Sequence, residues 1–259
     1  MNGAGAVSTI EPGHYAKKQI LCRSGIIGWS HQSRFRLATK LVEPYAGGTL
    51  LDYGCGDATF LGEVRDTFRA AVGADIDPKQ NQDCRRRFAG IPNVSFVLTS
   101  ELTQPEHEAA YDVVTCMEVL EHCIDEDANR TLSDLRRLVA PRGIVIISVP
   151  VEIGPALIGK QVLRRLAGWR QLGDYKHGER YSARELCRML FAGERTAIER
   201  PVHRASPESV QFHTHKGFNW RSLRTRLRQT FEVKQTLFSP LPYLGGYFSS
   251  QAWFVCTLR

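Results

Sequence analysis

The chain has 259 residues, 42% of them hydrophobic and 24% charged, with a formal net charge of +7. That is enough to bury a sizeable core, as one α/β domain with an insertion or as two small domains. No signal-like segment opens the chain, since residues 1–13 are small, polar and Gly-rich, and the longest apolar run, 143–159, is interrupted by Pro150, Glu152 and Pro155; a cytoplasmic location is expected.

The seven cysteines include no Cys-x-x-Cys pair, which suits reduced thiols rather than a disulfide framework. Charge is unevenly distributed. Residues 1–150 carry 16 Lys/Arg against 19 Asp/Glu, a net −3, and residues 151–259 carry 18 against 8, a net +10. The basic half suits phosphate, nucleic acid or an anionic membrane surface, or else simply solvates helices.

In chain order, residues 1–13 read as a flexible leader and 14–45 as a helical lead-in. Ser30 is placed as an N-cap, followed by an apolar stripe at Phe35, Leu37, Ala38, Leu41 and Val42. Trp29, His31 and Arg34 stand at the start of this helix, either covering a ligand pocket or packing. The stretch Thr49 to Leu61, TLLDYGCGDATFL, reads as strand, tight glycine turn and helix. Gly54 and Gly56 permit backbone angles and approaches that a Cβ obstructs, so a ligand can lie against the turn beneath the helix N-terminus. A dinucleotide fingerprint would need glycine where Thr59 stands, so that match fails.

A helix over 59–68 and a strand over 71–76 follow. The strand ends in GADIDP, and Asp75 lies about twenty residues beyond the glycines, where doubly wound folds place a carboxylate for ribose hydroxyls. Asp77 caps the basic segment 79–88. A third strand spans 94–98. A fourth, 111–116, runs into MEVLEH, Asp125 caps a helix to about Val139, and Pro141-Arg142-Gly143 turns the chain into a fifth strand, 144–149.

Residues 151–215 form a basic, helix-rich excursion in which Ser182 and Glu185 stand in capping-box positions. A helix over 219–230 and two β-like runs, 232–238 and 251–258, close the chain, joined by the apolar loop FSPLPYLGGYF.

The turn LDYGCG, the acid-ended GADIDP and the run YDVVTCMEVLEHC with LRRLVAPRGIVIISVP together resemble the ordered motifs of class I S-adenosylmethionine (SAM) methyltransferases, over about residues 48–150. Within that superfamily the Glu-x-x-Glu-His segment is most similar to the ubiquinone-pathway O-methyltransferases. The resemblance implies a doubly wound, seven-stranded, mostly parallel sheet of order 3-2-1-4-5-7-6, only the seventh strand antiparallel, with a helical insertion after strand five. It divides the chain into a leader and covering helix (1–45), a SAM-binding core (46–150), a basic acceptor-recognition insertion (151–215) and a helix plus hairpin (216–259). It places the cofactor against Asp52, Gly54, Cys55, Gly56, Asp75, Ile76 and Met117. Ser100 stands where the family has an acid for the adenine amino group, leaving Ser100 or Glu101 to substitute, and Ala58 replaces a third glycine, which alanine can do at negative φ.

Methyl transfer needs a positioned acceptor and, for a hydroxyl, removal of its proton. Glu118, Glu121 and His122, spaced i, i+3 and i+4, converge on one face of a helical turn at the edge of strand four. Similar segments in ubiquinone-pathway enzymes and small-RNA 2′-O-methyltransferases bind a divalent cation with a further downstream histidine. The resemblance therefore suggests Glu118, Glu121, His122 and His177 as ligands of Mg²⁺ or a similar ion.

Without metal, His122 or His177 is the leading general base, with His213 and His215 secondary. Tyr175, Tyr181, Phe212, Phe218, Trp220, Tyr243 and Tyr247 line an acceptor pocket or pack the core. The expected activity is O-methylation of a small-molecule, lipid or sugar-type acceptor, phosphate-bearing or membrane-associated. The alternatives are an RNA-terminal 2′-O-methyltransferase and a non-catalytic SAM-binding regulatory protein.

Overall fold

In a computed structural model whose described residues are 10–14, 25–161, 181–204 and 210–259, the chain builds its sheet from the centre outwards. The strands are β1 (Thr49–Tyr53), β2 (Ala70–Asp75), β3 (Val94–Leu98), β4 (Tyr111–Met117), β5 (Val139–Pro150), β6 (Val202–Arg204), β7 (Gln211–His213), β8 (Glu232–Ser239) and β9 (Gln251–Thr257). Seven of them form one sheet in the order β3-β2-β1-β4-β5-β9-β8. With β8 and β9 as sixth and seventh sheet strands, this is the expected 3-2-1-4-5-7-6. β9 pairs antiparallel with both β5 and β8, and the other pairings are parallel.

The central strands are apolar on both faces, as helix-covered parallel strands must be. Successive residues point to opposite sides: Leu50, Val113 and Ile146 enter one apolar cluster, and Leu51, Val114, Val145 and Ile147 the other. The first cluster receives Phe35, Ala38 and Val42 from α1 (Gly25–Val42) and Phe60, Leu61 and Val64 from α2 (Thr59–Val64). The second receives Leu132, Leu135 and Leu138 from α4 (Asp125–Leu138). α3 (Pro78–Arg87) is capped as expected, Lys79 N donating to Asp77 Oδ1 at 2.9 Å.

Several boundaries depart from expectation. Asp125 does not cap α4 but is its first residue, Ile124 standing at the N-cap position without a side-chain cap, and α2 ends at Val64 rather than at 68. Ser30 lies inside α1, which includes Gly25–Val42, rather than capping it. Pro141-Arg142-Gly143 does not precede strand five but lies within β5, accommodated by a register shift between the pairs Tyr111↔Val139 and Val113↔Ile144; the bulge absorbs the extra residues without ending the strand.

Past β5, residues 155–161 are helical, and α5 (Ala183–Leu190) carries the full capping box of Ser182 and Glu185. The two-stranded sheet of β6 and β7 had no clear sequence signal. α6 (Trp220–Thr230) is capped by Asn219, whose Oδ1 accepts from Arg221 N and Ser222 N. The six described cysteines are free. Among the described residues no helix is long and apolar enough to cross a membrane.

Candidate active site

The glycine turn between β1 and α2 hangs from β2. The amides of Gly54 and Cys55 both donate to the Ala74 carbonyl, at 2.7 and 3.0 Å, and Gly56 N donates to Asp75 Oδ2 at 2.9 Å. Gly54 and Gly56 have φ of 77° and 52°, the left-handed region where a side chain is disfavoured. A Cβ on Gly54 would stand 2.3 Å from Val119 Cγ2, whereas one on Gly56 would meet nothing within 4 Å. The turn is thus pressed against the loop after β4 at one glycine and open at the other.

Ala58 corrects an expectation. It was to replace a glycine at negative φ, but it sits at φ 55° as the residue before α2. The turn keeps the glycine conformation and the alanine carries its strain, on the order of 1–2 kcal/mol.

Asp52 is buried and accepts from Thr115 Oγ1 at 2.7 Å. Burial pushes its carboxyl up to about 7, against the lowering effect of that hydrogen bond and with Asp75 adding repulsion. Burial also drives the Cys55 thiol well above its usual value, so this cysteine is a packing group rather than a nucleophile. Asp75 closes its own loop, Oδ1 accepting from Asp77 N at 3.0 Å. Beside it Ile76 is 63% exposed, an isolated apolar surface at the C-terminal end of β2. Ser100 is exposed, and Glu101 Oε2 accepts from Leu98 N. Met117 is partly buried at the end of β4.

The end of the expected leader packs here. Gly13 is buried against Asp57, Ile10 joins the cluster under α2, and Arg87 donates to the carbonyls of both Glu11 and Asp57.

The segment 118–122 is not the expected helical turn. Glu118 has φ 57°, and the chain passes through a bend and a tight turn in which His122 N donates to the Val119 carbonyl. In this geometry the two glutamates take different surroundings. Glu118 turns towards α1, pairing with Arg34 at 3.3 Å and accepting from Ser148 Oγ at 3.4 Å. Glu121 is fully buried, and neither carboxylate oxygen has a hydrogen-bond partner among the described residues. Desolvation, then the charge of Glu118, raise its carboxyl well above the ordinary range, with Arg34 and Arg200 opposing.

Two histidines face that carboxylate. Nε2 of His122 and Nε2 of His215 each lie 3.9 Å from Glu121 Oε1, and 3.3 Å from each other. The small β6–β7 sheet makes this convergence: His213 N donates to the His122 carbonyl at 2.8 Å, and His122 Nδ1 reaches the His213 carbonyl at 3.0 Å. Arg200 ties the two strips together, donating to the carbonyls of Glu121 and Thr214. Glu121, His122 and His215 therefore form a group able to hold a metal ion.

Of the expected ligand set, Glu121 and His122 are brought together, Glu118 stands aside on Arg34, and His177 lies outside the described residues. His215, read only as a secondary base, takes the facing position, while His213 points its Nδ1 at the Pro201 carbonyl. Of the aromatic candidates, Phe218 and Trp220 are core residues, Tyr243 and Tyr247 are exposed, and Tyr175 lies outside the described residues. Two participants carried no recognised signal: Arg200, and Glu152, whose Oε1 lies 3.9 Å from His215 Nδ1; Arg34, expected at the start of the covering helix, packs on Glu118. The place of Glu152, two residues past β5 on the ligand-binding edge, was the available clue.

Known proteins similar to this chain share its fold. Residues 30–192 match the family described as Methyltransferase domain. A ubiquinone biosynthesis O-methyltransferase of Mesorhizobium japonicum is 26% identical over 174 residues, 65% of this chain and 68% of that protein. One of Rickettsia bellii is 29% identical over 153 residues, 58% and 61% respectively. Among solved structures, the PH0226 protein of Pyrococcus horikoshii superposes with a TM-score of 0.58 at 18% identity, covering 95% of this chain and 96% of that one. With the seven-stranded sheet, its glycine turn and the carboxylates ending β1 and β2, these matches establish that the chain belongs to the methyltransferase-domain family and has the SAM-dependent class I fold.

Proposed function

We propose that this protein is an O-methyltransferase acting on a hydroxyl of a small-molecule acceptor, with Glu121, His122 and His215 holding a divalent cation beside the SAM site. One observation carries the reading: a fully buried carboxylate without a hydrogen-bond partner among the described residues faces two imidazole nitrogens at the C-terminal edge of the sheet. A buried carboxylate left in this state costs stability, and a cation is the partner that offsets the cost. Two imidazoles and one carboxylate form a softer set than the all-oxygen cages of Ca²⁺ and Mg²⁺, which favours Mn²⁺, Co²⁺ or Zn²⁺.

In this reading the open face of Gly56 lets SAM lie close to the turn, while Asp52 and Asp75 hold its polar groups. Asp75 accepts from ribose hydroxyls, Ile76 and Met117 pack the adenosine, and Ser100 or Glu101 meets the adenine amino group. Arg34 fixes Glu118 and so the loop that sets acceptor position, and His122 Nε2 accepts the hydroxyl proton if no cation is present. SAM supplies a methyl carbon on a sulfonium, and a bound cation would supply the charge that polarises the acceptor oxygen. Residues 46–150 form the cofactor half, and the basic stretch 151–215 recognises the acceptor. The relatives named as ubiquinone biosynthesis O-methyltransferases support oxygen as the acceptor atom.

The test is methyl transfer to dihydroxylated phenols after thorough chelation, with Mn²⁺ then restored, alongside thermal-shift titration with S-adenosylhomocysteine. Turnover that falls on chelation and returns with Mn²⁺ supports the reading. Undiminished turnover removes the cation and leaves His122 as base, and methylation of an RNA 3′ end but no phenol changes the acceptor class. Ligand at about 100 times its dissociation constant adds roughly 2.7 kcal/mol of stability, a readily measured shift.

A further inference from the structure

The two nitrogens of the His215 ring face two different buried carboxylates. Nε2 lies 3.9 Å from Glu121 Oε1, and Nδ1 lies 3.9 Å from Glu152 Oε1. Both glutamates are fully buried. Glu152 is also anchored by Lys160, whose Nζ donates to the same Oε1 at 3.0 Å and to the Ser250 carbonyl at 3.0 Å. Glu152 and Lys160 thus form an anchored pair on the Nδ1 side of His215, while Glu121 lies on its Nε2 side.

That placement matters because the Nε2 atoms of His122 and His215 are 3.3 Å apart. His122 has its Nδ1 on the His213 carbonyl, an acceptor only, so Nδ1 carries the proton and Nε2 the lone pair. His215 has two neutral forms. With its proton on Nε2 it donates to His122, and both lone pairs that could ligate an ion are consumed in a ring-to-ring hydrogen bond. With its proton on Nδ1, facing Glu152, both Nε2 lone pairs converge with Glu121 on one point.

We propose that Glu152 is the positioning residue that makes this choice: its carboxylate, braced by Lys160, holds the His215 proton on Nδ1 and keeps the pair of Nε2 atoms open for a ligand. Carboxylates behind ligating histidines fix tautomer and ring orientation in this way. The ligand role of His215 rests on the cation reading given above; the tautomer does not.

Two measurements separate the parts. In the metal-free protein labelled with ¹⁵N-histidine, long-range ¹H–¹⁵N spectra, assigned with His215→Gln, report which ring nitrogen of His215 bears the proton. The expected result is Nδ1–H in the native chain and a detectable Nε2–H form in Glu152→Gln. Nε2–H in the native chain overturns the proposal and needs no variant to fold. In the second arm Co²⁺ is titrated into the SAM-free protein and followed by its visible absorption. Glu152→Gln is expected to weaken Co²⁺ binding about 10- to 100-fold, with altered absorption bands, unchanged affinity for S-adenosylhomocysteine and partial rescue by Glu152→Asp.

Co²⁺ affinity within twofold of native in Glu152→Gln, while His215→Ala has lost it, overturns the role of Glu152 and leaves the cation site standing. No Co²⁺ binding by the native chain overturns the cation reading itself, and with it the ligand role of His215.

Discussion

Gly54 and Val119 touch across the floor of the site: a Cβ on Gly54 would stand 2.3 Å from Val119 Cγ2. One glycine therefore sets both the shape of the cofactor turn and the position of the loop that carries Glu118, Glu121 and His122. Gly54→Ala must meet the clash and the left-handed φ of 77° together. We expect a loss of about 2–4 kcal/mol in stability and of S-adenosylhomocysteine binding. Val119→Ala in the same chain should recover part of the melting temperature, because it removes the clash but leaves the φ strain. A double variant no more stable than Gly54→Ala would show that the contact does not matter.

The parts of this fold that were legible in the sequence are those set by local chemistry. β3 spans the residues expected of it, and Asp77 and Ser182 cap their helices, because apolar runs and side-chain caps are short-range signals. The failures were long-range. The spacing of Glu118, Glu121 and His122 suits a helix, but the chain leaves β4 in a left-handed conformation at Glu118, which no spacing rule reports. His215 reaches His122 only through β6 and β7, strands of three residues each, too short for a periodic pattern. Glu152 was invisible as a partner because Lys160, which anchors it, lies eight residues on in a helical segment.

The Asp52 carboxyl gives a pH signature. Its value rises from 3.8 to about 7, chiefly through burial. Between those values the folded chain holds a proton that the unfolded chain has released, so stability falls as pH rises through this window and levels off above it. The span corresponds to on the order of 4 kcal/mol. Asp52→Asn keeps an acceptor for Thr115 without the charge. It should flatten this part of the profile and melt higher than the native protein at pH 8, as followed by thermal unfolding from pH 4 to pH 8. An unchanged slope would place the titrating group elsewhere.

If Glu121 holds a cation as proposed, it sets function against stability. Its carboxylate is buried without a hydrogen-bond partner among the described residues, an arrangement that costs about 1–3 kcal/mol. Glu121→Leu fills similar volume with apolar atoms, so the metal-free protein should become more stable by a similar amount while Mn²⁺ no longer raises its melting temperature. A lower melting temperature in the metal-free variant would instead mark Glu121 as structural.

Arg34 and Glu118 couple the covering helix to the loop after β4. Their side chains are 3.3 Å apart and only 8% and 21% exposed. Removing the arginine leaves Glu118 without its cationic partner in a poorly hydrated place beside the Glu121 carboxyl. Arg34→Gln should therefore cost about 3 kcal/mol, more than an exposed ion pair is worth. Adding Glu118→Gln replaces that carboxyl by a neutral amide, so the double variant should be more stable than Arg34→Gln alone, with a coupling of at least about 1 kcal/mol in a double-mutant cycle. The same cycle run on acceptor KM and kcat separates two roles for the pair. If it only holds α1 in place, KM and kcat follow stability. If it sets the loop for catalysis, kcat stays low in the double variant after stability has recovered.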